Sequence, residues 1–173
     1  ELYVERDDFM ENPPKKFFRL SPGVEVRLRY AYFVTCTNVV KDANGEITEI
    51  HCTYDPASRG GNSPDGRKVK STIHWVSATE NIEAEVRMYD RLFSDEEPDS
   101  HKDIDFKEFM NKESLQILPK CYIEPFVKDA KALDHFQFER LGYFNIDPDT
   151  TPEKLVFNRT VQLKDTWAKV QCK

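Results

Sequence analysis

Hydrophobic and charged residues alternate along the chain from residue 24 to residue 32. The even positions are apolar, and positions 25, 27 and 29 are charged. A period of two is typical of a β-strand with one buried face, so the sequence predicts a strand that exposes Arg27 and Arg29. The pattern alone does not decide between a ligand-binding face and a solvated face whose charges protect a sheet edge from aggregation.

The residues after this strand continue the β pattern. Residues 33–40 are rich in β-branched types and precede Asn44-Gly45. That dipeptide is a strong hairpin signal, because both residues tolerate the positive φ of a type I′ turn. Return strands are predicted over residues 46–54 and 68–78. Four strands within residues 16–78 are nearly enough to close a small barrel.

A second unit is predicted to begin near residue 84. Alternation resumes at residues 84–93, and strand-like segments follow between residues 115 and 163, with Pro119 expected to break the first of them. Short helical segments are predicted at residues 103–111 and 127–133. The chain is therefore expected to be mostly β, with one or two short helices.

The first ten residues resemble a strand that has no partner in the first unit. We expect them to pair with the second unit, which would make the first unit an insertion in it. The predicted fold is therefore all-β with two domains, residues 11–82 and residues 1–10 together with 83–173.

Charge is distributed unevenly along the sequence, and this favours a binding function. The chain has a net charge of −6, yet residues 15–30 carry five positive charges and one negative charge. The acids concentrate instead in residues 94–110, with seven acidic residues and two lysines. A cationic patch on an acidic protein usually meets phosphate, so the patch indicates a nucleic-acid partner.

The sequence carries few signs of a membrane location or of enzyme chemistry. No apolar run approaches the roughly 18–20 residues that a membrane span needs, and the first residues do not form a signal peptide. The four cysteines lack metal or disulfide spacing, which favours a reducing, cytoplasmic compartment. No phosphate loop, nucleophile elbow or His/Cys cluster is present, so we predict no catalytic residue and no metal site.

Residues 135–144 contain the two side chains best suited to read the edge of a base. Gln137 offers an amide with donors and an acceptor, and Arg140 offers a planar fork of donors. Their positions differ in parity, so both reach one ligand only if the strand twists or bulges, which Gly142 would permit. The alternative is a surface glutamine and an ion-paired arginine.

Six segments carry a resemblance to a known family. They are FFRLSPGVEVRLRYAY (17–32), CTYD (52–55), DGRKVKSTIHWVSA (65–78), YDRLF (89–93), HFQFERLGYF (135–144) and VFNRTVQLKDTWAKV (156–170). Through them the chain resembles the C-terminal anticodon-binding region of glutaminyl-tRNA synthetases of the bacterial type. The resemblance implies two six-stranded or near-six-stranded antiparallel β-barrels, akin to a barrel that binds ribosomal RNA.

The resemblance also implies roles for five residues. Arg19 falls on the arginine that reads the third anticodon base, a purine. Arg27 and Arg29 fall on the two arginines that contact the first anticodon base and its flanking phosphates. Gln137 and Arg140 fall on the pair that holds the middle uridine.

Two neighbouring positions depart from the family pattern and are weaker candidates for tRNA contact. Lys16 stands where the family has glutamine, and Phe18 stands where it has lysine. The contacts of these two positions do not transfer directly, although Phe18 is able to stack on an unpaired base.

For the whole enzyme the resemblance implies an ATP-dependent glutamine–tRNA ligase that uses Mg²⁺ and binds glutamine tRNA. The HIGH and KMSKS motifs, which handle ATP and glutamine, belong to an N-terminal Rossmann domain and do not occur in this sequence. The chain alone is therefore expected to be non-catalytic and monomeric, to need no cofactor and to work with that catalytic domain in cis.

Three other classes of protein remain as alternatives. The equivalent β-barrel region of glutamyl-tRNA synthetases would change the tRNA but not the mechanism, and the closing DTWAKV favours the glutaminyl branch. A non-enzymatic ribosomal-RNA-binding protein would match one barrel only. A carbohydrate-binding β-sandwich would expose aromatic rings on a flat face, where this chain has arginines.

Overall fold

The computed structural model describes residues 1–60 and 62–163 of the protein. The DTWAKV segment, which favours the glutaminyl branch, and Cys172 lie outside these residues. Strands dominate the described part, which confirms the prediction of an all-β fold.

The chain divides into two compact units, residues 1–80 and residues 81–173, and each is described by itself. The predicted boundary after residue 82 lies close to this division. The first ten residues differ from the expectation, because Leu2 and Tyr3 pair with strand residues of the first unit.

The six strands described in the first unit form one antiparallel sheet of two strands and one mixed sheet of four strands. These are β1 (Leu2–Tyr3), β2 (Glu25–Leu28), β3 (Phe33–Lys41), β4 (Ile47–Asp55), β5 (Thr72–Ile73) and β6 (Val76–Ser77). Four of them form a sheet in the order β4-β3-β2-β5, in which β2 and β5 are parallel. The two short strands β1 and β6 pair separately.

The strand predicted over residues 24–32 is confirmed in its middle and ends early. Val26 and Leu28 are buried in the core of the first unit, as the alternation predicts. β2 ends at Leu28 because the chain turns back into β3, and Tyr30 in the turn has a φ of 58°. Residues other than glycine seldom adopt this left-handed conformation, so periodicity gives no sign of the turn.

The hairpin predicted at Asn44-Gly45 is present, with a different turn. β3 and β4 pair up to Lys41 and Ile47, so five residues connect the strands. Gly45 has a φ of 84°, but Asn44 is not left-handed, which excludes a type I′ turn. The Asp42 carboxylate organises the loop instead, because it accepts the N–H groups of residues 44 and 46.

The second unit contains one five-stranded sheet. Its strands are β7 (Ile82–Tyr89), β8 (Leu115–Ile123), β9 (His135–Phe138), β10 (Gly142–Ile146) and β11 (Leu155–Val161). The sheet order is β8-β7-β11-β10-β9, and β11 runs parallel to β7. The last strand of the described chain therefore lies at the centre of the sheet.

Pro119 lies within β8 and does not end it, contrary to the prediction. β8 is an edge strand, and its register shifts where Ala84 pairs with Cys121 and Val86 pairs with Leu118. Proline is tolerated at a bulge in an edge strand, because no ladder hydrogen bond is lost there.

A cluster of phenylalanine rings forms part of the core of the second unit. Phe144 and Phe157 are buried, and the partly buried Phe136 and Phe138 pack against them. The ring centroids of Phe138 and Phe157 lie 5.2 Å apart, and those of Phe136 and Phe157 lie 6.0 Å apart. Phe157 on the central strand is therefore the residue around which this core is organised.

The two antiparallel barrels implied by the resemblance are not present among the described residues. Their strands form three sheets, of two, four and five strands, and none closes. The strand expected over residues 68–78 splits into β5 and β6, and β6 pairs with β1. No strand of the described part joins β4 to β5, and two parallel pairs replace part of the expected antiparallel pattern.

Within residues 1–60 and 62–163, helical structure is limited to short 3₁₀ segments. The predicted helices at 103–111 and 127–133 are represented by Phe106–Phe109 and Pro125–Val127, and two more lie at Arg6–Asp8 and Pro56–Ser58. Within the part of the chain that the structure describes, no helix has the length and hydrophobicity to cross a bilayer.

Candidate nucleic-acid interface

Arg19 is fixed by a buried carboxylate. Its Nε lies 3.3 Å from an oxygen of Asp8, which is 1% exposed, and its Nη1 donates to the Asp7 carbonyl at 2.8 Å. Arg19 itself is half-buried. A buried carboxylate is stable only with a well-placed partner, so Asp8 holds the guanidinium in one orientation. Within residues 1–60 and 62–163 the Nη2 group makes no hydrogen bond, which leaves donors for a ligand.

Arg27 lies in a row of side chains that crosses three strands. Arg27 of β2 pairs with Phe33 of β3, and Phe33 pairs with Asp55 of β4. Directly paired residues point to the same face of a sheet. Phe33 is fully buried on this face, because the Arg27 guanidinium covers its ring at 5.3 Å from the centroid.

The charge of Arg27 is not neutralised by any carboxylate in the described part of the chain. Its Nε is buried and has no hydrogen-bond partner there. The aromatic ring beneath it stabilises the cation through a cation–π interaction without consuming its hydrogen-bond donors. Arg27 is therefore prepared to donate to an acceptor from outside.

Arg67, which the sequence did not single out, covers the same Phe33 ring. Its guanidinium lies 5.2 Å from the ring centroid. The Nε and Nη2 groups donate to the two oxygens of Glu25, each at 2.9 Å. Further bonds reach Asp55 and, at 2.7 Å, Asp65. We call these four charged residues the Arg67 clamp.

The clamp changes the acidity of its members. Hydrogen bonds to Glu25, Asp55 and Asp65 raise the pKa of Arg67 above its usual range. The Ser63 hydroxyl and then the N–H and side chain of Arg67 lower the pKa of Asp65 to about 2. The Arg67 side chain, followed by the Ala57 N–H, lowers the pKa of Asp55. Asp55 and Asp65 are therefore ionised at neutral pH.

Arg29 and Tyr30 form the tip of the β2–β3 turn. The backbone of Arg29 is fixed on both sides, because its N–H donates to Ile73 and its carbonyl accepts from the Trp75 indole at 2.9 Å. The Arg29 guanidinium lies 4.7 Å from the Tyr30 ring centroid, and Tyr30 is 75% exposed. An exposed ring paired with a cation is a suitable platform for a stacked base.

A surface pocket of about 290 Å³ lies beside Phe18. It is lined by aromatic, aliphatic and charged side chains, namely Phe17, Phe18, Val24, Glu25, Lys68, Val69 and Lys70. Phe18 is 50% exposed, and the Lys70 ammonium lies 5.2 Å from its ring centroid. Lys16 is exposed near this segment. The pocket thus combines an aromatic face with lysines, as single-stranded nucleic acid requires.

In the second unit, Gln137 and Arg140 lie on one hairpin. Gln137 is exposed on β9 opposite Tyr143. Arg140 is in the turn between β9 and β10, with a φ of 70°, and the Leu141 N–H closes the turn onto Phe138. The sequence predicted a twist or a bulge between Gln137 and Arg140, and the structure has a turn there instead.

Gly142 begins β10 at a position that admits no side chain. A Cβ atom there would lie 2.6 Å from the Val161 carbonyl oxygen. This close approach holds the end of the hairpin against β11 and so fixes the base of the turn that carries Arg140.

The predicted site residues fall into two groups. Arg19, Arg27 and Arg29 belong to the first unit, where they lie before, within and directly after β2, while Gln137 and Arg140 belong to the second. Among residues 1–60 and 62–163, no group of three or more His, Cys, Asp and Glu side chains is arranged to hold a metal ion. Each group by itself offers hydrogen-bond donors beside aromatic rings, a combination that suits binding to bases and phosphates.

Two protein-family models match the chain, and both are described as the anti-codon binding domain of class I tRNA synthetases (E and Q). One matches residues 72–147 and the other matches residues 1–55. Together they include parts of both units.

Curated relatives with the same printed name match nearly the whole sequence. The glutamine–tRNA ligase of Nitrobacter winogradskyi is 59% identical over 170 residues, which are 98% of this chain. Those of Bradyrhizobium diazoefficiens and Clostridium perfringens are 57% and 55% identical over 98% and 96% of the chain. The chain spans about 30% of the length of each of these relatives.

Proposed function

The chain belongs to the anticodon-binding domains of the class I tRNA synthetases for glutamate and glutamine, and from this premise we propose that it binds the anticodon loop of glutamine tRNA. The observation that carries the choice of tRNA is the 59% identity to a glutamine–tRNA ligase over 98% of the chain. The arginines at and before β2 supply the chemistry that such a ligand needs.

The first unit reads the outer bases of the anticodon in this proposal. Arg19 reads the third base, and its orientation by Asp8 supports a fixed, bidentate contact. Arg27 and Arg29 hold the first base and its flanking phosphates. Specific RNA recognition uses unstacked bases whose Watson–Crick edges are accessible, and an anticodon loop presents three of them.

Gln137 and Arg140 hold the middle uridine. The amide of Gln137 offers both a donor and an acceptor, which match the alternating groups on the edge of uracil. A wrong base leaves these polar groups unpaired in a site that has lost water, and this loss is the source of discrimination. Phe18 and Lys16 add a stacking surface and a phosphate contact.

We further propose that the chain is the non-catalytic, anticodon-binding part of a longer, monomeric and cytoplasmic glutamine–tRNA ligase. We assign the binding of ATP with Mg²⁺ to a catalytic domain in cis. The present chain contributes tRNA selection and takes no part in activating glutamine.

Salt should weaken the complex in proportion to the phosphates it contacts. For single strands, each contacted phosphate lowers log K by about 0.7 for every log unit of salt. Titration of the chain with a labelled glutamine-tRNA anticodon stem-loop, at several salt concentrations, measures this slope. A slope near zero would show that the basic face does not bind the RNA backbone, and tighter binding to the glutamate-tRNA stem-loop would reassign the cognate tRNA.

Gln137→Ala should lower the aminoacylation efficiency of the longer ligase only through tRNA. Because Gln137 is assigned to the tRNA and not to ATP or glutamine, ATP–pyrophosphate exchange, measured with tRNA held constant, should differ little from the unmodified enzyme. We expect kcat/KM for tRNA to fall about 10- to 100-fold, the effect of roughly 1–3 kcal/mol of lost base contact. His135→Ala, on the same exposed strand, is the matched control. Unchanged tRNA kinetics would remove Gln137 from the site.

A further inference from the structure

The Arg67 clamp places three carboxylates around the guanidinium of one loop residue. Arg67 lies 42 residues from Glu25 and 12 residues from Asp55, yet it binds both carboxylates and Asp65 as well. Exposed ion pairs contribute little to stability one at a time. A network of three carboxylates around one guanidinium therefore calls for an explanation from its surroundings.

Those surroundings contain Arg27. Glu25 precedes Arg27 by two residues on β2, so both side chains point to the same face. Arg27 and Arg67 both cover the Phe33 ring, with guanidinium carbons 5.3 Å and 5.2 Å from its centroid. Asp55 belongs to the same cross-strand row as Arg27 and Phe33. Two carboxylates of the clamp thus lie on the same face of the sheet as Arg27, which makes no ion pair in the described chain.

Glu25 is the carboxylate that would turn to Arg27 without Arg67. Asp55 is also held by the Ala57 N–H, which donates to it at 2.9 Å. The Glu25 carboxylate, in contrast, accepts hydrogen bonds from Arg67 through both of its oxygens. A carboxylate and an RNA acceptor compete for the same guanidinium donors, so a Glu25–Arg27 pair would block the ligand.

We propose that Arg67 is a positioning residue that keeps Arg27 available for RNA by binding the Glu25 carboxylate. The inference rests on the proposed function, in which Arg27 contacts the first anticodon base and its phosphates. Arg67 itself acts through Glu25 and need not touch the RNA. A clamp that only stabilised the loop would leave RNA affinity independent of the charge on Glu25.

Arg67→Gln should weaken binding of the chain to the anticodon stem-loop at least tenfold, because Glu25 is released and pairs with Arg27. Adding Glu25→Gln to this variant should restore affinity to within about threefold of the unmodified chain. Arg59→Gln, which removes the same charge from the same loop, is the matched control for Arg67→Gln and should change affinity less than threefold. Fluorescence anisotropy at one fixed salt concentration measures all variants.

Glu49→Gln controls for the general gain of positive charge. Glu49 lies on β4, six residues before Asp55, and bonds to His51. In the Arg67→Gln background it should restore less than twofold. Equal rescue by Glu49→Gln, no rescue by Glu25→Gln, or full affinity of Arg67→Gln would each overturn the inference.

The two proposals fail in different ways. If the unmodified chain does not bind the stem-loop, the proposed function is wrong. If it binds and Arg27→Ala has no effect, the role of Arg27 is wrong and the inference falls with it. If Arg27→Ala weakens binding and the Arg67 series behaves otherwise than expected, only the inference fails. Should Arg67→Gln not fold, Arg67→Lys keeps the charge without the bidentate fork, and its smaller loss should still be rescued by Glu25→Gln.

Discussion

Arg19→Ala will weaken binding to the glutamine-tRNA anticodon stem-loop about 10- to 100-fold while barely affecting a stem-loop whose third anticodon base is changed. The expected size follows from a bidentate arginine–base contact, which gives roughly 1–3 kcal/mol of discrimination in the comparable DNA case. We expect the contact to be specific, because Asp8 and the Asp7 carbonyl fix the guanidinium before any RNA binds. Little conformational entropy is then lost on binding.

A matched variant separates base reading from general attraction. Arg59→Ala removes the same charge from an exposed loop of the same unit and should weaken both RNAs slightly and equally. Equal losses on both RNAs for Arg19→Ala would show that Arg19 contacts the backbone only. Asp8→Asn should reproduce part of the Arg19→Ala effect, because it leaves the arginine in place and loosens its orientation.

Phe157→Ala will destabilise the second unit by about 3–5 kcal/mol, the usual cost of emptying a large aromatic site in a core. Phe157 is fully buried on the central strand and contacts the rings of Phe136 and Phe138. A cavity at this point removes partners from several elements at once. Hydrogen exchange of the β10 and β11 amides, followed under native conditions, measures the loss.

Phe126→Ala is the control for this prediction. Phe126 also makes an edge contact with Phe136, at 5.9 Å between centroids, but it is 75% exposed. Its removal should cost less than about 1 kcal/mol, since little apolar area is uncovered. Similar exchange rates in the two variants would show that the phenylalanine cluster does not hold the second unit together.

Periodicity predicted the parts of the fold that depend on local pattern. Val26 and Leu28 are buried where the alternation places them, and the hairpin around Gly45 is present. The sequence did not predict the end of β2, because Tyr30 adopts a left-handed conformation that is usual for glycine. It also did not predict that β6 would pair with β1, since that pairing depends on tertiary contacts between distant segments.

The roles of the candidate site residues stay predictions, and they came from the sequence in different ways. The family resemblance supplied Arg19, Arg27 and Arg29, whose motif is continuous in sequence. Arg67 escaped notice because its partner Glu25 lies 42 residues away, and no spacing rule connects them. Side chains that act through long-range ion pairs become visible only when the sheet brings their strands together.

β11 is the last strand of the described chain and lies at the centre of the second sheet, so the second unit cannot finish folding until β11 has been synthesised. All strands of the first unit precede residue 78, so that unit is able to fold early. The second unit needs Leu155–Val161 between β7 and β10, and a ribosome adds those residues roughly 4–16 s later at 5–20 residues per second. Until β11 is made, the edge of β7 that pairs with β11 lacks that partner. An unpaired strand edge on a nascent chain is prone to aggregation, so we expect chaperones to bind the protein there.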